Sequence, residues 1–452
     1  MRMIAAEWRA AGALAGIYAL RMLGLFLVLP ALALAARDFN GATPLLIGVA
    51  VGIYGLTQAA LQIPFGFASD RFGRKRIIAA GLVLFVAGSA LAAVADSMLV
   101  LILGRALQGA GAIAAALMAL AADLTRDGVR TRVMAIIGIS IGASFSMALV
   151  IGPLFNAWFE LAGLFWLAAG LGLLALLLLY TVVPTPRVER VHRDARPSRA
   201  QVRAVLANAT LLRLNGGILV LHMIMTGTFV AAPLALDAAG LVAADHWEVY
   251  LPVFGGSLAL MGPLVMLAER RDRTRPVFIV ALALIAVAHA GLGLYGDTVI
   301  GIGFALLLFF AGFNVLEASL PALISRAAPV AQKGTAMGVY STCQFLGAFI
   351  GGVGAGLFEG IGGPPLVFAA LGVAAAGWLF VARTMRVPPP VTSYVVPLGG
   401  QAQADADNLA KRLSGLPGVE EAVVVAEEGV AYLKVDQQTF DQTALHRAGF
   451  ET

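Results

Sequence analysis

Twelve runs of 18 to 26 mostly apolar residues follow one another along this chain, and no other feature limits its folding as strongly. A bilayer's hydrocarbon core, about 30 Å thick, is crossed by about 20 helical residues. Within it every backbone polar group must be satisfied internally, which a helix does by itself. The runs are Ala11–Ala36, Pro44–Ser69, Ile77–Ala95, Met98–Ala122, Val133–Trp158, Leu161–Val183, Leu214–Leu236, Trp247–Ala268, Val277–Tyr295, Val299–Ile324, Gly334–Phe358 and Pro365–Ala382, here called spans one to twelve. Of 452 residues 60% are hydrophobic and 13% charged, against about 25% charged in soluble domains. That charge cannot supply the skin of a soluble protein of this size. Disorder, a coiled coil and a nucleic-acid binder are excluded for most of the length, and the net charge of +5 is no nucleic-acid footprint.

Span one carries Arg2, Arg9 and a small-residue end at Ala33–Ala36, as a signal peptide does. Its apolar run is long and holds Arg21, so it reads as a retained helix. Orientation follows the bias of Lys and Arg toward cytoplasmic loops. With the N-terminus inside, 24 of the 31 basic residues fall in cytoplasmic segments and only Arg37 lies in an outer loop. Both termini are then cytoplasmic. Trp158, Trp166, Trp247 and Tyr250 fall near outer span ends, as interfacial anchors.

The Arg- and Pro-rich link 185–213 separates two six-helix halves, 1–184 and 214–390. After Pro388-Pro389-Pro390 the composition changes. Residues 391–452 carry nine acids and four bases and no long apolar run. They read as strand Val391–Leu398, helix Ala402–Leu413, strands Val419–Ala426 and Val430–Val435, and a second helix Phe440–Ala448. This order predicts a small α+β, ferredoxin-like domain.

Polar groups recur in every third span. Span one holds Arg21, span four Arg105 and Gln108, span seven His222, span ten Asn314 and Glu317. An ionised group at the centre of a membrane helix costs about 2.5–3.5 kcal/mol on insertion scales, so these groups must face an interior or a wet cavity. Spans three, six, nine and twelve are nearly pure hydrocarbon and suit supporting positions. Spans one, four, seven and ten would line a central pathway, which argues for transport of a small molecule. Each residue also has a structural reading: Arg21 as a brace, His222 and His289 as satisfied interior histidines, Glu317 as a partner of a neighbouring helix. The one cysteine, Cys343, excludes an internal disulfide and a cysteine metal cluster. No Walker sequence, paired carboxylate or Ser-His-Asp arrangement suggests an enzyme, and no cofactor or metal is expected.

Gly66-Phe67-Ala68-Ser69-Asp70-Arg71-Phe72-Gly73-Arg74-Lys75-Arg76 lies between spans two and three. It matches the signature G-x-x-x-D-R-x-G-R-K-R of the major facilitator superfamily. Arg105-Ala106-Leu107-Gln108-Gly109-Ala110-Gly111 matches R-x-x-Q-G-x-G of its proton-coupled members, and Gly152-Pro153 partly resembles its antiporter signature. With Leu20–Gly24, Gly52–Gln58, Lys333–Gln344 and the C-terminal domain, nearly the whole chain resembles the YajR-type bacterial transporters.

The resemblance implies an all-α membrane protein of twelve helices in two bundles, in the bacterial inner membrane, that moves its substrate by alternating access. It implies a latch of Gly66, Asp70, Arg71, Gly73, Arg74 and Asp123, with Asp70 against the amino end of span eleven near Lys333 and Gly334. Proton coupling needs a group that changes protonation. Glu317 ranks first and Asp123 second, with Arg105 tuning a neighbour. Arg21, Met22, Phe26, Gln108, His222, Phe310, Asn314 and Gln344 are the expected cavity wall. Partners are then protons, lipid and an unidentified, amphipathic small molecule, with drug or metabolite export favoured. The expected state is a monomer, with self-association of the tail open. The competing class is a membrane-embedded sensor or uniporter regulated by the tail.

Overall fold

The structure is a computed structural model that describes residues 3–185, 199–270, 273–329, 332–385, 391–398, 406–425, 429–436, 439–447 and 450. Residues 186–198 of the arginine-rich link, and Arg271 and Asp272 of the basic segment Glu269–Arg273, lie outside these residues. The chain forms two compact units. One comprises Met1–Val191, Asn215–Glu317 and Ser341–Thr384, the other His192–Leu214, Ala318–Tyr340 and Met385–Thr452.

The larger unit is helical throughout, and its elements follow the apolar runs with informative departures. Span one is two helices, Ala5–Phe26 and Leu29–Ala35. Pro30, in the first turn of the second helix, has no N–H to continue the ladder. The break is covered by span five: a Cβ on Gly152 would stand 2.7 Å from the Leu27 carbonyl oxygen. Glycine at 152 thus lets one helix rest on the interrupted backbone of another. Ser140 and Ser144, one turn apart on span five, donate to the carbonyls of Ala15 and Ala19 on span one at 3.2 and 3.0 Å.

Span four also breaks, into Met98–Ala110 and Ala114–Asp123, around Gly111. Spans five and six run as Asp127–Thr181 and turn at Glu160, whose φ of 57° is left-handed for a non-glycine residue. Spans eleven and twelve run as Lys333–Ala382 and turn at Gly362-Gly363, Gly363 having φ 68°. Between spans two and three the chain reverses at Gly73, with φ 96°, a conformation that costs glycine nothing. Side chains such as Val83, Leu177, Val287 and Val373, on spans three, six, nine and twelve, are more than half exposed, as membrane-facing surfaces require. Trp158 and Trp166 are exposed too. Tyr250 is not the anchor that its sequence position suggested: it is 1% exposed and packs against Phe229 and His246.

In the second unit the link contains a helix, Arg199–Ala207, which the sequence reading missed. Asn208 ends it, and its Oδ1 accepts from the backbone N–H groups of Thr210 and Leu211 at 3.0 and 3.2 Å to start span seven at Ala209. The tail has the expected element order: β1 Val391–Pro397, helix Ala406–Ser414, β2 Val419–Val425, β3 Val430–Asp436, helix Gln442–Arg447. The antiparallel sheet has the order β1-β3-β2, with Tyr394 and Ala422 both opposite Leu433. Val396, Leu409, Leu413, Leu433, Leu445 and Phe450 form its core. Lys434 on β3 donates to the Ala328 carbonyl, beyond span ten, at 3.4 Å.

Candidate functional site

The signature between spans two and three folds into a closed polar knot. Arg74, 2% exposed, donates through Nη1 to Asp70 and to Ser69 Oγ at 2.8 Å, and its Nε lies 3.3 Å from Asp123 Oδ2 at the end of span four. Asp70 and Asp123 are 3% and 0% exposed. Gly66 gives its carbonyl to Ser69 Oγ at 2.7 Å. Arg71 points outward, stacked on Phe72. Lys75 Nζ binds the Val183 carbonyl at 2.6 Å and ties span three to the end of span six. Asp70 Oδ2 is buried and has no partner among the described residues. A further pair, unforeseen in the sequence, closes the same half: Arg126 grips Glu7 through Nε and Nη2 at 2.8 and 2.9 Å.

Deeper among these spans lie two guanidinium groups, each 1% exposed and neither bonded to a carboxylate among the described residues. Arg21 Nη2 lies 2.8 Å from each of Tyr54 Oη, Gln58 Oε1 and the Gly111 carbonyl. The break in span four therefore exposes a carbonyl that Arg21 takes. Its Nε and Nη1 have no protein partner among the described residues. Arg105 donates to Gln108 Oε1 at 2.6 Å and to the Ala50 carbonyl at 3.2 Å, and lies over the Tyr54 ring. Gln108 in turn donates to Ser89 Oγ at 2.8 Å. Tyr54 thus stands between the two cations, offering its hydroxyl to one and its ring face to the other. Met22 is buried beside them. Dipoles, not counter-ions, hold these charges in place.

The other half holds one carboxylate in mid-span. Glu317 Oε1 accepts from Gln344 Nε2 at 3.2 Å, and the same Gln344 atom lies 2.8 Å from His222 Nε2. Glu317 Oε2 is 3.8 Å from His222 Nε2 and has no hydrogen-bond partner among the described residues. Spans ten, eleven and seven are thereby joined at one point. The Glu317 side chain as a whole is 37% exposed and that of His222 10%, while Glu317 Oε2 itself is buried. One turn away, Asn314 donates to Ser257 Oγ of span eight at 3.0 Å. His289 stands apart, held by the Ile285 carbonyl and Thr228 Oγ1 at 2.9 and 3.0 Å, in keeping with its interior reading.

Spans one to six touch spans seven to twelve at several points. Phe145 of span five contacts Phe26, Phe229, Phe254 and Phe310, with ring centroids 5.0 to 6.1 Å apart. Spans two and eleven approach backbone to backbone, where a Cβ on Gly48 would collide with the Gly352 carbonyl and one on Gly356 with that of Pro44. Arg37 and Glu359 form an ion pair at 3.1 Å and, with Ala33, Thr43, Val230 and Leu234, line a cavity of about 300 Å³.

Of the residues singled out from sequence, the structure joins Asp70 with Arg74 and Asp123, Arg105 with Gln108, His222 with Gln344 and Glu317, and Phe26 and Phe310 through Phe145. It keeps Arg21 apart from Glu317's cluster. Tyr54, Gln58, Phe145, Phe229, Phe254 and Ser257 were not singled out. Tyr54, Gln58 and Gln62 had a signal: polar groups four residues apart share one helix face, and Gln58 Nε2 does reach Gln62 Oε1 at 2.9 Å.

This architecture has known counterparts. The chain matches the family profile described as Major Facilitator Superfamily over residues 14–352 and again over 246–417. The chain belongs to the major facilitator superfamily. Residues 397–448 match the YajR YAM domain. Escherichia coli K12 "Inner membrane transport protein YajR" is 43% identical over 99% of this chain and 98% of its own length. "Multidrug resistance protein MdtH" of Aeromonas hydrophila is 29% identical, covering 74% of this chain and 84% of its own. A bacterial homologue of the human lysosomal transporter Spinster, solved in an inward-facing, occupied conformation, superposes with a TM-score of 0.68 at 14% identity, over 85% of this chain and 98% of its own. As a member of the superfamily, the protein is a membrane transporter whose polar clusters sit within a shared scaffold of helices.

Proposed function

We propose that this transporter is a proton-coupled antiporter that exports an amphipathic organic molecule across the bacterial inner membrane by alternating access. The observation that carries the reading is Glu317: a lone mid-span carboxylate on a partly exposed side chain, with one oxygen hydrogen-bonded and the other buried and without a partner among the described residues. Such an oxygen suits a site that takes up and releases a proton. The names of the E. coli and Aeromonas relatives support the location and the class of cargo. The charge bias supports cytoplasmic termini, with halves 1–184 and 214–390, a link 185–213 and a cytoplasmic tail 391–452. On that orientation the Arg37–Glu359 pair, the glycine contacts and the phenylalanine cluster close the outer side. Asp70, Arg74 and Asp123, with Gly66, Arg71 and Gly73, act as the inner latch. Arg105 organises the first half, while Arg21, Met22, Phe26, Gln108, His222, Phe310, Asn314 and Gln344 border the route.

One proton moving inward at 100 mV supplies about 2.3 kcal/mol, about a fifty-fold accumulation at tenfold per 1.4 kcal/mol. Liposomes holding the purified protein, screened with candidate compounds while internal pH is followed, identify the cargo. Glu317→Gln is expected to keep passive exchange of that compound and to lose gradient-driven accumulation. Full accumulation by the variant would refute the assignment. Asp70→Asn is expected to leave the Arg74–Asp123 pair formed and to weaken the outward-open state. Unchanged access of cavity cysteine probes from both sides would count against the latch.

A further inference from the structure

Gln344 puts one amide atom within hydrogen-bonding distance of two titratable side chains from two other helices. Its Nε2 is 3.2 Å from Glu317 Oε1 of span ten and 2.8 Å from His222 Nε2 of span seven. We infer that Gln344 is a positioning residue whose amide flips when Glu317 changes protonation, and that the flip switches the imidazole tautomer of His222. The inference rests on Glu317 being the coupling carboxylate, and it adds how a change on span ten is passed to span seven.

The heavy-atom geometry admits two complementary arrangements. With Glu317 ionised, both of its oxygens only accept. Gln344 must then present its NH₂ group, which gives one hydrogen to Glu317 Oε1 and the other to His222 Nε2. That nitrogen must offer a lone pair, so the ring carries its proton on Nδ1. With Glu317 protonated, its hydroxyl needs an acceptor. An amide turned over places its oxygen at the same point, where it accepts from Glu317 and from a proton on His222 Nε2. The amide oxygen has two lone pairs and can serve both donors. Mixed arrangements leave two donors or two acceptors facing each other in a buried place, which is disfavoured.

His222 therefore changes tautomer while staying neutral, and only one proton per cycle is gained or lost at this point. Among the described residues His222 is the titratable group set against Glu317, at 3.8 Å. Span eleven brings the neutral Gln344, and Asn314 on Glu317's own helix is engaged by Ser257 of span eight. His289 provides the contrast: its Nδ1 is fixed by the Ile285 carbonyl and its Nε2 by Thr228, so its tautomer has no such partner to answer.

The test uses the full-length protein in lipid nanodiscs. Nitrogen-15 NMR of labelled histidines reads tautomer and charge, with His222 assigned by loss of its signals in His222→Asn. Infrared spectroscopy reads the protonated carboxyl of Glu317, assigned by its loss in Glu317→Gln. In the wild type, His222 is expected to pass from the Nε2–H to the Nδ1–H form over the same pH interval in which the Glu317 band disappears. In Gln344→Leu the carboxyl band is expected to titrate still while His222 no longer follows it. A His222 that holds one tautomer, or becomes doubly protonated, through a complete Glu317 titration overturns this inference alone. A Glu317 band that never titrates overturns the coupling role of Glu317 and this inference with it. The wild-type measurement decides the matter even if Gln344→Leu does not fold.

Discussion

Gly352→Leu is expected to hold the Arg37–Glu359 end of the transporter apart, whereas Gly347→Leu, five residues earlier on the same helix, is expected to destabilise the fold. The difference lies in what each glycine touches. A side chain at 352 would enter the Gly48 and Gly52 backbone of span two, in the opposite half of the chain. One at 347 would enter the Leu219 backbone of span seven, in its own half. If the halves separate during a cycle, as the proposed alternating access requires, opening relieves the first clash, whereas helices within one half cannot relieve the second. Overpacking costs about 1–3 kcal/mol, enough to shift an equilibrium by about five- to 140-fold. Spin labels at Asp38 and Ile361, in a Cys343→Ser background, report the separation of the two halves at that end. Gly352→Leu should lengthen that distance and leave the thermal midpoint in detergent near the parent's. Gly347→Leu should lower the midpoint by several degrees. A Gly352→Leu distance distribution identical to the parent's would mean that this contact does not part.

The same glycines show what the sequence exposes and what it hides. Their spacing on span eleven announces close backbone approach, but glycine looks alike whether its neighbour belongs to the same half or the other. Hydropathy located the spans because a bilayer demands about 20 apolar residues wherever the chain crosses it. It did not show the breaks in spans one and four, since a broken membrane helix is still apolar. Those breaks depend on tertiary partners: Gly152 against Leu27, and Arg21 on the carbonyl of Gly111. Charged residues were visible as anomalies in apolar runs, so Arg21, Arg105 and Glu317 were found. Of their partners, Tyr54 and Gln58 lay in the stretch Gly52–Gln58 and on one helix face but were given no role in the site, and Ser89 carried no signal, because a single hydroxyl is common in such helices and carries no cost once paired. Phe145 was invisible for the opposite reason, being one apolar ring in an apolar run. The tail was legible element by element because strands of alternating pattern and a helix with Leu409 and Leu413 on one face declare their core. The Arg199–Ala207 helix was masked by the arginines around it, which read as a solvated link.

Arg74→Met should be the most damaging single change in the signature between spans two and three. Arg74 is enclosed, and it is the cation between two carboxylates that are 3% and 0% exposed. Removing one partner of a buried ion pair costs about 3–5 kcal/mol, chiefly because the remaining charge is left buried. Here two carboxylates would face each other, and Ser69 Oγ would lose the donor 2.8 Å away. The thermal midpoint and the folded yield should both fall well below those of Arg71→Met, which removes an exposed cation a few residues away. The triple change Asp70→Asn, Arg74→Met and Asp123→Asn removes all three charges at similar volume. It should recover most of the lost stability, as neutral replacements of buried ion clusters do. If the triple variant is as unstable as Arg74→Met, then Arg74 acts through the packing and hydrogen bonds of its long side chain, and charge balance is secondary. If stability returns while gradient-driven transport does not, the three charges are required for movement between states and not for folding. That outcome is the one a latch predicts, since a latch must be broken and remade in every cycle and a neutral knot has little reason to prefer either state.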